Sequence, residues 1–201
     1  MENLDKNLMS ESEIKDIFIK TGAILHGHFL LTSGLHSDTY IEKFSVLKHP
    51  KFTEILCKEM AKRYINDNVE LVIGPMTGGI LLAHEVGKAL NTEAIFCERE
   101  NGKMTLKRGF EIQKNQRILI VEDIVTTGGS IKEVVEVVKS FGGNIIGIAM
   151  LVNRSGKELI FDGIKSKALL NLNVSTYKAD ECELCKKKYS FDKKRKNWKI
   201  S

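Results

Sequence analysis

Several features are missing from the 201-residue sequence, and each absence narrows the class of protein. No apolar run approaches the ~18 residues that a membrane-spanning helix needs, so we expect no membrane partner. The segment Met1 to Lys6 shows no basic-then-apolar signal peptide, which predicts a cytoplasmic location. Four cysteines do not suggest a disulfide framework in a cytosolic chain of this size. No repeat, low-complexity segment or linker divides the chain, so we expect a single domain over residues 1–201.

The positive charge of the chain is concentrated at one end. Residues 186–201 hold eight of the 31 basic residues and one of the 26 acidic residues, which leaves 23 basic and 25 acidic residues elsewhere. The body of the protein is therefore close to neutral. We interpret residues 186–201 as a solvated basic tail and expect no nucleic-acid partner. Nucleic-acid binding by this tail is the alternative.

A short buried strand followed by two acids is the most informative stretch. Residues 118–121 are apolar and mostly β-branched, as in a strand that is covered on both faces of a parallel sheet. Glu122 and Asp123 follow directly, at the expected carboxyl end of that strand. Carboxylates at this position can accept hydrogen bonds from sugar hydroxyls or face a phosphate-bound magnesium ion.

A turn rich in hydroxyls and glycines comes next. Residues 126–130 read Thr-Thr-Gly-Gly-Ser, and apolar residues then recur at helical intervals up to Gly142. Ser130 and Glu133 stand in capping-box spacing, which predicts a helix start at this point. Backbone amides at a helix N-terminus hold phosphate well, although such turns also occur without any ligand.

The rest of the chain alternates between strand and helix patterns. Residues 11–21 predict an amphipathic helix, and residues 144–153 predict a central strand that is followed by Arg154. Residues 71–73 predict a strand that runs into a second glycine turn, in which Thr77, Gly78 and Gly79 suit anion binding. The alternation predicts an α/β fold with a mostly parallel sheet flanked by helices. Ligands of such sheets bind at the carboxyl ends of the strands.

Two further segments stand apart from this alternation. Residues 23–47 contain two short strand patterns, 28–34 and 37–43, joined by a turn at Gly34. Residues 98–110 contain few apolar groups and fit either a solvated β-hairpin or a mobile cationic lid. The basic residues of this loop are Arg99, Lys103, Lys107 and Arg108.

One cysteine pair, Cys182 and Cys185, has the spacing of a zinc knuckle. A single such pair supplies only half of a tetrahedral site, and His, Cys or Asp from elsewhere would have to complete it. We interpret the two cysteines as structural thiols and predict no metal site in the protein itself.

The stretch from Glu122 to Ser130 resembles the ribose-phosphate-binding signature of the type I phosphoribosyltransferases. The resemblance implies the fold of that family. It also implies that Glu122 and Asp123 bind the ribose of phosphoribosyl pyrophosphate (PRPP) and that the turn 126–130 surrounds its 5′-phosphate. The implied PRPP-binding residues of this stretch are Glu122, Asp123, Ile124, Val125, Thr126, Thr127, Gly128, Gly129 and Ser130. Thr77, Gly78 and Gly79 would form the pyrophosphate loop.

Within that family, the segment 23–47 resembles the N-terminal hood of orotate phosphoribosyltransferases. Ser33-Gly34, Ser37 and Tyr40 carry this resemblance. Thr32 departs from it, because many members have lysine there, and we hypothesise that Lys43 compensates.

The resemblance also implies a reaction. Ribose 5-phosphate would pass from PRPP to orotate, with a Mg²⁺ cofactor held mainly through PRPP, in a homodimer with shared active sites. Arg99 and Lys103 of the mobile loop would bind PRPP, and Lys103 and Asp123 would be the catalytic residues. Thr126 and Arg154 would bind orotate. A phosphoribosyltransferase for a purine or another base and a PRPP-sensing regulator that binds nucleic acid are the alternatives.

Overall fold

The computed structural model describes residues 7–31 and 33–192. The helices are α1 (Glu11–Lys20), α2 (Lys43–Leu47), α3 (Pro50–Lys62), α4 (Gly78–Leu90), α5 (Gly129–Ser140) and α6 (Glu183–Lys186). The strands are β1 (Ile24–Leu30), β2 (His36–Ile41), β3 (Leu71–Pro75), β4 (Glu93–Glu100), β5 (Lys103–Leu106), β6 (Arg117–Val125), β7 (Asn144–Asn153) and β8 (Ser166–Asn171). Within these described residues, no helix is long and apolar enough to cross a membrane.

Six strands form the main sheet, in the order β5-β4-β3-β6-β7-β8. The neighbours from β4 to β8 pair in parallel, and only β5 is antiparallel to its neighbour β4. The mostly parallel α/β sheet that the alternation of patterns predicts is therefore confirmed. From β3 the chain adds strands towards one edge of the sheet, and from β6 it adds them towards the other. The turns that leave these two adjacent strands therefore lie side by side.

Helices cover both faces of this sheet because the side chains of its central strand alternate between them. Leu119 and Val121 of β6 belong to a core that α1, α3 and α4 close. Ile118 and Ile120 point to the opposite core, which α5 closes. All four side chains are fully buried, which explains why the sequence of this strand is apolar without interruption.

The hood is a two-stranded antiparallel sheet, β1 with β2, followed by α2. Gly34 forms the turn between the strands with φ of +82°, a conformation that glycine adopts without steric cost. Strand β1 begins at Ile24, earlier than predicted, because Ile24 pairs with Ile41 at the far end of the hairpin. Lys43 begins α2 and does not end a strand as predicted, since the Glu42 side chain accepts the amide of Phe44.

The segment after β8 returns to the hood. His36 and Tyr177 exchange two backbone hydrogen bonds of 2.8 and 2.9 Å, and the Ser37 hydroxyl donates to the carbonyl of Ser175 at 2.8 Å. The amide of Asp192 donates to the carbonyl of His28. Residues 189–192, which we predicted to be part of a solvated tail, thus pack on the hood; residues 193–201 lie outside the described part of the chain.

Candidate active site

The acidic pair lies inside β6. This differs from our prediction, which placed the pair directly after the strand. Strand β6 continues to Val125 because its pairing with β7 runs on to Asn153, whereas its pairing with β3 stops at Ile120. Past Ile120, the β3 side of the strand therefore faces the turn between β3 and α4. Asp123 occupies this opening and is buried, with 3% of its surface exposed.

The buried carboxylate of Asp123 is held from two sides. Lys43 of the hood places its Nζ atom 2.6 Å from Oδ2, and the backbone amide of Ile124 donates to Oδ1 at 2.6 Å. Burying an unpaired carboxylate costs several kcal/mol, and the contact with Lys43 offsets this cost. The contact with Asp123 supports the hypothesis that Lys43 contributes to the site. The spacing between Lys43 and Ser33-Gly34 in the sequence does not by itself indicate this contact. Thr32, the departure that motivated the hypothesis, lies outside the described residues.

The turn between β3 and α4 fits closely against the same carboxylate. A Cβ atom on Gly78 would lie 1.8 Å from Oδ2 of Asp123, so only glycine is tolerated at this point without movement. The turn itself is equally tight, because a Cβ atom on Gly74 would lie 2.6 Å from the carbonyl oxygen of Gly79. The peptide between Met76 and Thr77 is cis. The predicted anion loop at Thr77, Gly78 and Gly79 thus adjoins Asp123 directly.

Two helix N-termini open onto this edge of the sheet. Helix α4 follows Thr77 and helix α5 follows Gly128, and no side chain of the described residues caps either helix. In contrast, the Ser10 hydroxyl caps α1. First-turn amides without a protein acceptor, at the positive end of the helix dipole, are suited to bind phosphate groups.

The capping box that we predicted for α5 is wrong. The N-cap is Gly128 and not Ser130, so the helix begins two residues earlier than the capping box implied, at Gly129, because Gly128 has φ of +76° and ends the extended chain there. A side chain at Gly128 would also collide with Phe161, whose Cε1 atom would lie 2.5 Å from the added Cβ. Glu133 is thereby free for Arg99, which it binds through two contacts of 2.8 and 2.9 Å. Thr126 and Thr127 remain exposed in the turn.

Glu122 is buried on the same strand, and its pKa lies far above the ordinary value of a glutamate. Burial and the charge of Asp123 raise the pKa of Glu122 to about 8, and the Asp123 amide and Lys43 oppose this rise. The amide of Asp123 donates to Oε1 of Glu122 at 3.0 Å. Near neutral pH the pair therefore holds a protonated Glu122, which can donate a hydrogen bond, beside an Asp123 that is ion-paired with Lys43.

The loop 98–110 forms a β-hairpin from the end of β4, a turn at Gly102 and β5. Three of its four basic residues are paired with glutamates: Arg99 with Glu133, Lys107 with Glu100 and Arg108 with Glu98. Lys103 is exposed, and among the described residues it has no acidic partner. The hairpin places Arg99 beside α5 through Glu133, but no contact joins Lys103 to the residues around Asp123 within the described chain.

Arg154 lies beside the phosphate turn. Its backbone amide donates to the carbonyl of Val125 at 2.8 Å, which fixes it next to Thr126. The buried Asn153 side chain shapes the following turn, because its Oδ1 atom accepts from the amide and hydroxyl of Ser155. Of the predicted residues, those of the acidic pair, the two glycine turns and Arg154 share one edge of the sheet. Sequence reasoning offered Lys43 only as a substitute for the lysine that many family members have in place of Thr32, since Lys43 lies in no glycine turn and follows no strand of the main sheet.

Comparison with known proteins agrees with this architecture. The family model for the phosphoribosyl transferase domain matches residues 45–169, more than half of the chain. An orotate phosphoribosyltransferase of Desulforamulus reducens is 52% identical over 178 residues, which cover 88% of this chain and 92% of the relative. The orotate phosphoribosyltransferase of Thermotoga maritima is 40% identical over 173 residues, with 86% and 92% covered.

Solved structures share the fold at lower identity. The orotate phosphoribosyltransferase of Aeropyrum pernix has a TM-score of 0.66 at 24% identity, covering 79% of this chain and 93% of that one. An adenine phosphoribosyltransferase of Thermoanaerobacter pseudethanolicus has a TM-score of 0.64 at 20% identity, covering 81% of this chain and 100% of that one. Structural likeness at this identity shows the fold alone, whereas the sequence relatives show the family. The chain belongs to the orotate phosphoribosyltransferase family of phosphoribosyl transferase domain proteins.

Proposed function

We propose that the chain transfers ribose 5-phosphate from PRPP to orotate, giving orotidine 5′-monophosphate and pyrophosphate in de novo pyrimidine (UMP) biosynthesis. The observation that carries this proposal is the meeting of three segments at Asp123, where Lys43 of the hood and Gly78 of the β3–α4 turn both contact Oδ2. A substrate with a phosphate at one end and a pyrophosphate at the other fits two uncapped helix N-termini on either side of a carboxylate. The choice of orotate is supported by relatives of that name at 40% to 52% identity.

Each part of PRPP then has a protein counterpart. The turn 126–130 and the start of α5 bind the 5′-phosphate, and the turn 77–79 binds the pyrophosphate. Asp123 and Glu122 accept and donate hydrogen bonds at the ribose hydroxyls. Substrate binding draws Lys43 from Asp123 towards the pyrophosphate, since a flexible lysine that is 31% exposed can exchange one anion for another.

The chemistry asks the protein to manage charge more than to move protons. The bond from C1′ to the pyrophosphate oxygen breaks with its electron pair on pyrophosphate, and a bond forms from C1′ to a ring nitrogen of orotate. The ring of orotate is acidic and enters as an anion, with the attacking nitrogen already deprotonated, so no strong base is needed, and Arg154 binds the carboxylate of orotate in a two-bonded fork. Preorganised cations and amides stabilise the charge that grows on the leaving pyrophosphate.

Magnesium fits this site as a companion of PRPP and not as an ion bound by the protein. Both carboxylates are buried, and Lys43 already occupies Oδ2 of Asp123, so the protein offers Mg²⁺ few accessible ligand atoms here. The phosphate oxygens of PRPP provide the hard ligands that Mg²⁺ prefers. The ion, when bound, neutralises charge on the pyrophosphate group.

The exposed Lys103 supports a shared site in a homodimer. It is the one base of its hairpin without an acidic partner among the described residues, and it lies on the edge strand β5. We propose that Lys103 reaches the active site of a second copy and stabilises the leaving pyrophosphate there.

A base panel tests the proposed reaction. The purified chain, PRPP and Mg²⁺ are incubated with orotate, uracil, adenine or hypoxanthine, and consumption is followed by absorbance and product analysis. Orotate should be converted, and Asp123→Asn should weaken PRPP use by at least ~10-fold, the effect of losing one charge-assisted hydrogen bond. The exposed Asp16→Asn serves as the matched control and should react normally. Conversion of a purine in place of orotate would refute the assignment.

A further inference from the structure

Four potential metal ligands from distant parts of the sequence meet at one point of the hood. His28 of β1 and His36 of β2 face Cys182 and Cys185, and one ligand atom from each lies within 4.8 Å of all the others. Three of the four residues are buried, and Cys185 is partly exposed. This cluster contains none of the residues that we assign to the reaction.

Four distances between ligand atoms of the cluster match those expected in a tetrahedral zinc site. Zinc held by two imidazoles and two thiolates, at bond lengths of about 2.05 and 2.3 Å, separates its ligand atoms by about 3.3 Å for N–N and about 3.5 Å for N–S. Here Nε2 of His28 and Nδ1 of His36 are 3.2 Å apart. Sγ of Cys185 lies 3.2 Å from His36 Nδ1 and 3.7 Å from His28 Nε2, and Sγ of Cys182 lies 3.5 Å from His28 Nε2.

A backbone carbonyl fixes the imidazole of His28 in the orientation that a metal ligand needs. Nδ1 of His28 lies 2.8 Å from the carbonyl oxygen of Tyr189, which can only accept, so the ring carries its proton on Nδ1. Nε2 of His28 therefore turns a lone pair towards the other three atoms. Histidines that bind metals make this kind of bond to a backbone carbonyl. The ring of Phe191 packs on both imidazoles, with centroid distances of 4.3 and 4.9 Å, and shields the cluster.

We propose that His28, His36, Cys182 and Cys185 form a structural zinc site that fastens the segment 177–192 to the hood. Four protein ligands leave no open position, which is the property of a structural site and not of a catalytic one. Thiolate and imidazole ligands select zinc over magnesium, so this site is distinct from the magnesium that accompanies PRPP. The proposal replaces our interpretation of the two cysteines as structural thiols, and it stands whether or not orotate is the substrate.

The position of the site gives it a role in bracing the hood. His36 begins β2, and that strand ends at Ile41, two residues before Lys43. The C-terminal segment already bonds this strand through Tyr177 and Ser175. Zinc would add a link across about 150 residues of sequence, where a cross-link restricts the unfolded chain most.

Metal content tests the proposal directly. The full chain, purified under reducing conditions from zinc-supplemented medium, should contain about one zinc per chain by elemental analysis. Cys182→Ser and Cys185→Ser should each lower this content several-fold. His26→Asn should retain full zinc, because His26 lies on the same strand with its side chain exposed and outside the cluster.

Cobalt substitution gives a readout that does not depend on stability. The Co²⁺ form of the full chain should show the intense visible bands of tetrahedral cobalt and a thiolate-to-cobalt charge-transfer band. Both should weaken in the two cysteine variants, whereas His36→Cys, which keeps a four-ligand set, should retain zinc and strengthen the charge-transfer band. This last variant also decides the matter if the cysteine variants fail to fold.

Three results would overturn the proposal. The first is wild-type protein with no more zinc than folded Cys182→Ser, and the second is a stoichiometric metal other than zinc. The third is a cobalt spectrum without thiolate charge transfer.

Discussion

At the scale of single residues, the candidate site depends on how two adjacent carboxylates are buried. The Asp123 carboxylate forms an ion pair with Lys43 and accepts a hydrogen bond from a backbone amide. The Glu122 carboxyl group accepts a hydrogen bond from one amide and lies beside the charge of Asp123. The same strand thus pairs one carboxylate with a lysine and raises the pKa of the other. Such divergence between neighbouring acids is a recurrent property of catalytic sites.

The raised pKa of Glu122 predicts how stability changes with pH. Between its ordinary value of 4.5 and about 8, the folded protein holds a proton that the unfolded chain has released, so stability falls as pH rises through this window. Glu122→Gln should flatten that slope and stabilise the protein at pH 8 by roughly 1–4 kcal/mol. Urea unfolding at several pH values measures this, with the exposed Glu111→Gln as control. A slope unchanged from wild type would contradict the assignment.

The pair between Lys43 and Asp123 should show strong coupling. Removing Lys43 leaves a buried charge, so we expect a coupling energy of roughly 1–3 kcal/mol, reduced from that of a fully buried pair because Lys43 is partly exposed. Urea unfolding of Lys43→Ala, Asp123→Asn and the double variant measures it. The half-exposed pair of Glu54 and Lys58 is the control, with an expected coupling below ~0.5 kcal/mol. Equal coupling energies for the two pairs would mean that burial does not strengthen the interaction between Lys43 and Asp123.

At the scale of elements, the site exists because two turns from adjacent parallel strands touch. Strand β3 ends beside the middle of β6, and the turn after β3 occupies the space that its strand leaves. The absence of side chains at Gly74, Gly78 and Gly79 lets this turn approach the backbone and Asp123 closely. Sequence shows the glycines, but the packing explains each of them.

Gly78→Ala tests that packing. The added Cβ would lie 1.8 Å from Oδ2 of Asp123, so the carboxylate or the helix must shift, which should destabilise the protein by roughly 1–3 kcal/mol and lower PRPP use. Gly129→Ala is the steric control for stability, because the nearest atom to its Cβ would be 3.8 Å away. Its stability should change by less than ~1 kcal/mol. Thermal unfolding of both variants gives the comparison, and equal stability would show that the turn yields easily.

At the scale of the whole molecule, the C-terminal segment behaves as part of the hood up to the last described residue. A chain that ends at Asp192 keeps the Tyr189 and Phe191 contacts with His28, whereas a chain that ends at Lys188 loses both. The first truncation should match the full chain in turnover and Tm. The second should lose roughly 1–3 kcal/mol of stability, the cost of an unmade, partly buried hydrogen bond and of lost packing. Equal Tm for the two truncations would contradict the packed segment.

The proposed dimer makes a separate prediction about subunit mixing. Lys103→Ala should lower turnover more than orotate binding, since pyrophosphate charge grows towards the transition state, and Arg154→Ala should mainly weaken orotate binding. Mixed dimers of the two variants hold one site with an intact Arg154 and an intact partner lysine. Activity should therefore return on mixing, at one of the two sites in each mixed dimer. Confirmed subunit exchange without recovery would place Lys103 in the site of its own chain.

Local sequence patterns determined the main strands and helices of the parallel sheet and their type. The apolar run at residues 118–121 marked the central strand, the period of Ile14, Ile17 and Phe18 marked α1, and β7 was predicted with the bounds that the structure has. The family signature marked the edge of the sheet that carries the acidic pair. These signals suffice because strand burial, helix amphipathicity and glycine turns are encoded by residues a few positions apart.

Tertiary structure alone decided which distant side chains meet. The contact of Lys43 with Asp123, the fit of Gly78 against that carboxylate and the approach of His28 and His36 to the cysteine pair join residues 45 to 157 positions apart. No period or spacing encodes such contacts, because they follow from the order of strands in the sheet and from the path of the C-terminal segment. The extent of β6 also depended on its partners, since Glu122 and Asp123 read as a strand end until pairing with β7 carries the strand past them.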